Sequence, residues 1–378
     1  MNFKTPDKFL FKEGLENFHL HALFTRLGRK TVYDSAAQCN KCAYCSRVCP
    51  AQLQTGKEDC GPRARNILLR LIMENKIGVK KNIAQIKNVL SGCMLCGACT
   101  KECFAKVPAH EHVLELERTF GNRKLPWFYR LKNKIIQKNP FGLKQKIKKI
   151  NLNAENAGAL FLPSYEAKFL EVKSALNMLR AATKNFNGVK ILWGGAGMYE
   201  YVYGTLPAAR TAALKLMSEY FDAPPGGKKI ITDSLDIFNF VKKYPQIFFD
   251  TEHFDRAQKF AENIFFIADI LPKPRIKIPG KIIFSKTAAF CAEDEIFAFA
   301  KDFPSWIGEN YPIPPLGYEY IKPKECRKYL LRKIEYIKAA KAGAVVVPTL
   351  SQKRLLNKCL KKYYPECKAI YTGDFYAD

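Results

Sequence analysis

Four cysteines fall within eleven residues at Cys39, Cys42, Cys45 and Cys49, in the run CNKCAYCSRVCP. The intervals are two, two and three residues, and Pro50 follows. The same intervals return at Cys93, Cys96, Cys99 and Cys103, in CMLCGACTKECF. Structural zinc normally draws two ligand pairs from well-separated stretches, not four thiols from one short run. Thiols at i, i+3 and i+6 of a tight loop can instead aim three sulfurs at three irons of one cubane. The fourth thiol points out of its own loop, and the proline turns the chain away. Two such runs predict two [4Fe–4S] clusters.

In two-cluster ferredoxins the fourth cysteine of each run serves the other cluster. On that rule Cys39, Cys42, Cys45 and Cys103 hold one cluster, and Cys93, Cys96, Cys99 and Cys49 hold the other. The cysteines alone then carry the redox chemistry, and no residue is assigned a catalytic role. The second run ends in Phe104 where the first has Pro50, with Pro108 four residues later. That changes the exit turn without removing a ligand.

The segment between the runs must position both loops. It spans Pro50 to Gly92, 43 residues. GPRARNILLRLIMENKI predicts a helix with Pro62 at its start and Ile67, Leu68, Leu71 and Ile72 as its apolar face. IAQIKNVLSG predicts a second helix closed by Gly92. The setting is similar to the helical ferredoxin domain of succinate dehydrogenase iron–sulfur subunits. Arg63 and Arg65 have two readings of equal weight: donors that raise a cluster's potential, or surface arginines capping the helix. Cys60 reads as a free thiol beside a cluster. His19, His21, His110 and His112 lack the companion ligands of a metal or haem site, so surface or helix-end roles are expected. GGAG at 194–197 follows a strand but lacks the rest of a dinucleotide fingerprint, and reads as a tight turn. Trp193 and the aromatics of YEYVYG read as core or interface.

At 378 residues and 48% hydrophobic content the chain can build several cores. No apolar run is long enough to span a bilayer, and the first residues show no secretory h-region, so the thirteen cysteines read as metal ligands and free thiols rather than disulfides. The net charge of +27 raises nucleic acid as a partner, but no nucleic-acid module is recognisable and none is expected to bind. The same charge suits an acidic redox partner or an anionic membrane surface, and equally a lysine-rich solvated surface.

Five segments are expected: 1–30 as an N-terminal leader helix, 31–120 as the helical two-cluster domain, 121–158 as a basic linker, and α/β units at 159–275 and 276–378. Residues 118–154 contain eleven Lys or Arg and no acidic residue, with Phe128, Tyr129 and Phe141 among them. Beyond 159, strand-like ALFLPSY, VKILWGG, KKIITDS and AGAVVVPT alternate with helical stretches, which predicts parallel sheets. The proline-rich 270–281 reads as the joint between the two units. The fold class is α+β multidomain: an all-α dicluster ferredoxin domain followed by two α/β units.

The paired runs, the GPRARNILL helix and the α/β tail together resemble the iron–sulfur subunits of glycolate oxidase, lactate-utilisation proteins and heterodisulfide reductase. In those families two cysteine-rich units follow the ferredoxin domain, with Cys-Cys-Gly and Cys-x-x-Cys elements for a further metal centre or disulfide chemistry. Here WGGA at 193–196 stands in place of the first element. Ser234 and Ile237, and again Thr349 and Gln352, stand in place of the second. None supplies a thiolate, and Cys291, Cys326, Cys359 and Cys367 form no such motif. The resemblance implies an electron-transfer subunit relaying electrons between partner subunits of an oxidoreductase complex, not catalytic alone. The alternative is a disulfide- or hydroxyacid-linked reductase with a site in the C-terminal units. The expected partner is a flavoprotein or membrane cytochrome subunit, in the cytoplasm or at the inner face of the membrane.

Overall fold

The structure, a computed structural model, describes residues 23–25, 28–120, 142–150, 152–154, 157–222, 229–249, 251–271, 280–285, 306–308 and 323–376. Most of the expected leader and of the basic linker lie outside these residues. So do most of the 270–281 joint, His19, His21 and Cys291. The end of the leader departs from its expected helix. Leu23–Thr25 (β1) and Gly28–Lys30 (β2) pair antiparallel instead. Phe and Thr favour extended backbone, and Gly28 weakens any helix running through it.

Six helices build the cysteine-bearing domain: α1 (Val32–Ala37), α2 (Pro50–Thr55), α3 (Pro62–Met73), α4 (Val79–Ser91), α5 (Ala98–Glu102) and α6 (Ala109–Thr119). Pro50 and Pro62 each occupy a first helical position, where a missing N–H costs nothing. Helix α3 has the expected period but a different phase. Its buried face is Arg65, Asn66, Leu69, Ile72 and Met73, while Ile67, Leu68 and Leu71 are only partly covered. The phase is set by what Arg65 and Asn66 bond. The Asn66 side chain donates to the Ala36 carbonyl at 2.9 Å and accepts from His112 Nδ1 at 2.6 Å.

Two α/β units follow, each with a four-stranded, all-parallel sheet. The first contains β3 (Ala159–Leu162), β4 (Val189–Ile191), β5 (Lys229–Thr232) and β6 (Ile264–Phe266), in the spatial order β4-β3-β5-β6. The second contains β7 (Lys281–Phe284), β8 (Trp306–Gly308), β9 (Ala342–Val347) and β10 (Lys368–Tyr371), in the order β8-β7-β9-β10. Numbered within each unit, both read 2-1-3-4, so the tail is one topology used twice. The inner strands β3 and β9 are almost wholly buried, as parallel strands covered on both faces are.

The units are not independent of the cysteine domain. One continuous core joins Leu69, Leu90 and Leu114 to Tyr201, Leu216 and Phe260 of the first unit. Helix α6 lies at that junction and is buried from Ala109 to Glu117, charged residues included. Tyr201 donates to Glu111 at 2.8 Å, and Lys243 pairs with the same carboxylate. The Arg118 guanidinium stacks on the Tyr201 ring at 4.1 Å. The second unit also reaches the cysteines. On its helix Pro323–Ala339, Cys326, Tyr329 and Leu330 pack against Met94, which lies between Cys93 and Cys96.

Candidate iron–sulfur centre

The two cysteine runs fold alike. In each, the second residue after the first thiol is left-handed, Lys41 at φ 56 and Leu95 at φ 52. So is the first residue after the second thiol, Ala43 at φ 66 and Gly97 at φ 70. This alternation wraps backbone N–H groups inward, a geometry suited to anionic sulfur. The Leu95 N–H donates to Cys93 Sγ at 3.4 Å. A short helical turn follows each loop, Tyr44–Val48 or Ala98–Glu102. It ends in extended backbone at the fourth cysteine, φ −76, ψ 113 at Cys49 and φ −76, ψ 124 at Cys103. Phe104 thus leaves the exit geometry intact without proline.

The fourth side chain leaves its own loop in both runs. Cys49 lines a pocket together with Cys93, Cys96 and Cys99, with Arg65 and His110 also on its wall. Cys45 has Cys39, Cys103 and Cys42 as thiol neighbours. The structure therefore brings the eight candidate thiols together as two crossed tetrads. Cys45 and Cys99 lie near enough to influence each other. Cys60 belongs to neither tetrad; its carbonyl accepts from the Cys49 thiol at 3.8 Å.

The donor set fits an iron–sulfur cluster better than a lone ion. Cys49, Cys93, Cys96 and Cys99 line one shared space, and soft thiolates in fours are the ligands of iron–sulfur clusters. Burial, and then crowding by Cys39, Cys103 and Cys42, pushes the Cys45 thiol up to about 12. Burial pushes Cys96 up to about 12 and Cys99 well above its usual value. Four thiolates this close need a cationic core to hold them, and ligation drives off the protons. Arg65 supplies further positive charge. Burial opposes its charge, but Cys93, Cys49 and Cys99 outweigh that and raise its pKa.

The tetrads differ in exposure. Cys49 and Cys93 are buried, whereas Cys42 is exposed. Beside the exposed tetrad in sequence stand two aromatic side chains open to solvent, Tyr44 at 58% and Phe104 at 83%.

Arg63 and Arg65 divide the two readings between them. Arg63 donates to the Lys41 carbonyl at 3.1 Å and pairs with Glu58 at the surface, while Arg65 is 2% exposed and faces the thiols. The histidines of α6 depart from their expected surface role. His110 accepts a hydrogen bond at Nδ1 from Thr100 Oγ1, 2.9 Å away, and its Nε2 faces Glu111 at 3.3 Å. His112 donates from Nδ1 to Asn66 and accepts from Ser35 at Nε2. Burial lowers both to about 3, so both are neutral. The sequence could not reveal this, because burial of α6 comes from the unit that packs on it.

In the tail, the positions assigned to Cys-x-x-Cys are helix caps. Ser234 accepts from the Ile237 N–H and Thr349 from the Gln352 N–H. WGGA is a turn after β4, with the Gly194 N–H donating to Glu219 at 3.1 Å and the Trp193 carbonyl accepting from Lys168 at 2.9 Å. Tyr201 and Tyr203 of YEYVYG are buried at the domain junction.

Residues 35–107 match the 4Fe-4S dicluster domain family. The chain also resembles, over part of its length, curated proteins named lactate utilization protein B. The one from Macrococcus caseolyticus is 33% identical over 113 residues, 28% of this chain and 22% of the relative. That from Exiguobacterium sp. is 29% identical over 117 residues, 30% of this chain and 24% of the relative. That from Bacillus velezensis is 30% identical over 110 residues, 27% of this chain and 21% of the relative. The chain thus spans less than a quarter of the length of these relatives. No solved structure matches. The matched segment is an iron–sulfur segment of [4Fe–4S] type with a redox role, as its thiol spacing predicts. Among the described residues, no helix is long and apolar enough to cross a membrane.

Proposed function

We propose that the chain is an electron-transfer subunit carrying two [4Fe–4S] clusters, which relays electrons between partner subunits of an oxidoreductase complex. The observation that carries this reading is the contrast between the tetrads: one more buried, with Arg65, the other with Cys42 exposed and the exposed Tyr44 and Phe104 next to its thiols in sequence. Exposed aromatic residues beside a ligand loop suit a partner interface. A [4Fe–4S] cluster supplies a one-electron carrier. The chain's own residues hold it, exclude water at Met94 and Val113, and present it at the Phe104 side. Helix Pro323–Ala339 covers the second cysteine loop, and the two α/β units serve as cover and attachment.

The partner fits a flavoprotein or a membrane cytochrome subunit. The name of the relatives, lactate utilization, suits a complex acting on a hydroxy acid. The place of action is the cytoplasm or the inner membrane face, where the excess of basic side chains favours anionic lipid. The reductase alternative gains nothing from the tail, where Ser234 and Thr349 cap helices.

Protein purified without oxygen is expected to contain about eight irons and eight sulfides per chain, four of each per cluster. Reduction should produce two EPR signals. With an artificial acceptor, the isolated chain should turn over neither hydroxy acids nor dithiols. Four irons per chain, or turnover by the chain alone, would overturn the reading.

A further inference from the structure

We propose that Arg65 is a positioning residue for the cluster of Cys93, Cys96, Cys99 and Cys49, and that it selectively raises that cluster's affinity for an electron. The inference rests on the two-cluster reading above and says which of the two the protein tunes.

Arg65 leaves helix α3 on its buried face, in line with Leu69 and Ile72. It is 2% exposed. Its Nε donates to the Val89 carbonyl at 3.0 Å, which fixes the plane of the guanidinium. Nη1 then points at Cys49 Sγ, 4.0 Å away. Nη2 is buried and has no hydrogen-bond partner. Gly92, the residue before Cys93, leaves room for it: a Cβ there would come within 3.0 Å of Nη2. Among the described residues, no carboxylate pairs with this guanidinium.

A buried cation with an idle donor is costly unless negative charge lies beside it. Among the described residues, the groups beside it that can carry such charge are the cysteine sulfurs lining the same cavity. Reduction adds a negative charge in a space removed from water. A fixed cation with donors aimed at the ligand sulfurs favours that more negative state. Arg63, two residues earlier, is partly exposed and bonded to the Glu58 carboxylate and the Lys41 carbonyl, so its charge, unlike that of Arg65, is already offset by a carboxylate.

The test is potentiometric EPR titration of full-length Arg65→Gln and Arg65→Lys beside the wild type, with iron measured in each. A soluble dysprosium chelate assigns the signals, because it relaxes the exposed cluster more strongly. In Arg65→Gln the less exposed signal should lose at least about tenfold in electron affinity, about 59 mV for one electron. The exposed signal should stay in place, and Arg65→Lys should recover part of the shift. Equal shifts in both signals, or none at full iron content, overturn the proposal. Should the variants lose iron, wild-type protein carrying 15N in its arginine guanidinium groups decides. Pulsed EPR should find a 15N coupling on the less exposed signal, and its absence overturns the proposal. A wild type with only one signal would overturn the two-cluster reading and this inference with it.

Discussion

Cys49 and Cys103 occupy the same place in two copies of one loop. Each ends a short helical turn in extended backbone, so its side chain is carried out of its own loop. Cys49 lines the cavity of Cys93, Cys96 and Cys99, and Cys103 neighbours Cys45. Once variants in the first three cysteines of each run have assigned the EPR signals, Cys49→Ser should perturb the signal of the Cys93 loop. Cys103→Ser should perturb that of the Cys39 loop. Damage confined to the variant's own loop would make the ligation uncrossed. The eight candidate thiols could be singled out because ligand spacing is local: it is written in consecutive residues. Arg65 was legible only as one of two readings. A charged side chain on a helix is ordinarily solvated, and what reverses that here is a cavity assembled from Cys49, Cys93 and Val113, far apart in sequence.

Whole helices show the same limit. The period of α3 could be read from its leucines and isoleucines, but its phase could not. Periodicity counts apolar residues, whereas the buried face of α3 includes Arg65 and Asn66, bonded to groups on other elements. Helix α6 is the stronger case: AHEHVLELERT carries the composition of a solvated helix, yet Glu111, Glu115 and Glu117 are buried. The strands ALFL, KIIT and AGAVVV were recognisable, since residues buried on both faces must be apolar along their length. At the ends of β5 and β9 the substituted positions have a structural use. Ser234 and Thr349 each satisfy an N–H in the first turn of the next helix. Ser234→Ala and Thr349→Ala are each expected to cost about 1 kcal/mol, with Gly costing less at either position. Chemical denaturation followed by circular dichroism measures this. A neutral result at both would mean that the hydroxyls do not serve as caps.

Across the molecule, the cysteine domain and the first α/β unit share a core that runs from Leu69 to Phe260. They should therefore unfold together. Loss of absorbance near 400 nm and loss of the tryptophan signal are expected to share one midpoint on heating. Two separated transitions would show that the shared core does not couple them. The alternation of strands and helices along the tail could be read from sequence at four strands, in ALFLPSY, VKILWGG, KKIITDS and AGAVVVPT, while Ile264–Phe266, Lys281–Phe284, Trp306–Gly308 and Lys368–Tyr371 were not singled out as strands. The packing of the tail onto the cysteines could not be read, because the contacts of Met94 with Tyr329 and of Glu111 with Lys243 join residues more than a hundred positions apart. Helix α6, buried between the thiol loops and the first unit, sets how such a molecule can work. A carrier on a free arm can swing from donor to acceptor, so its rate follows the arm. Here, among the described residues, the loops are held against a helix buried in a core shared with the first α/β unit. On the relay proposed above, such a molecule works as a socket rather than a shuttle: a partner comes to it, and the gap an electron crosses is decided by how that partner lands.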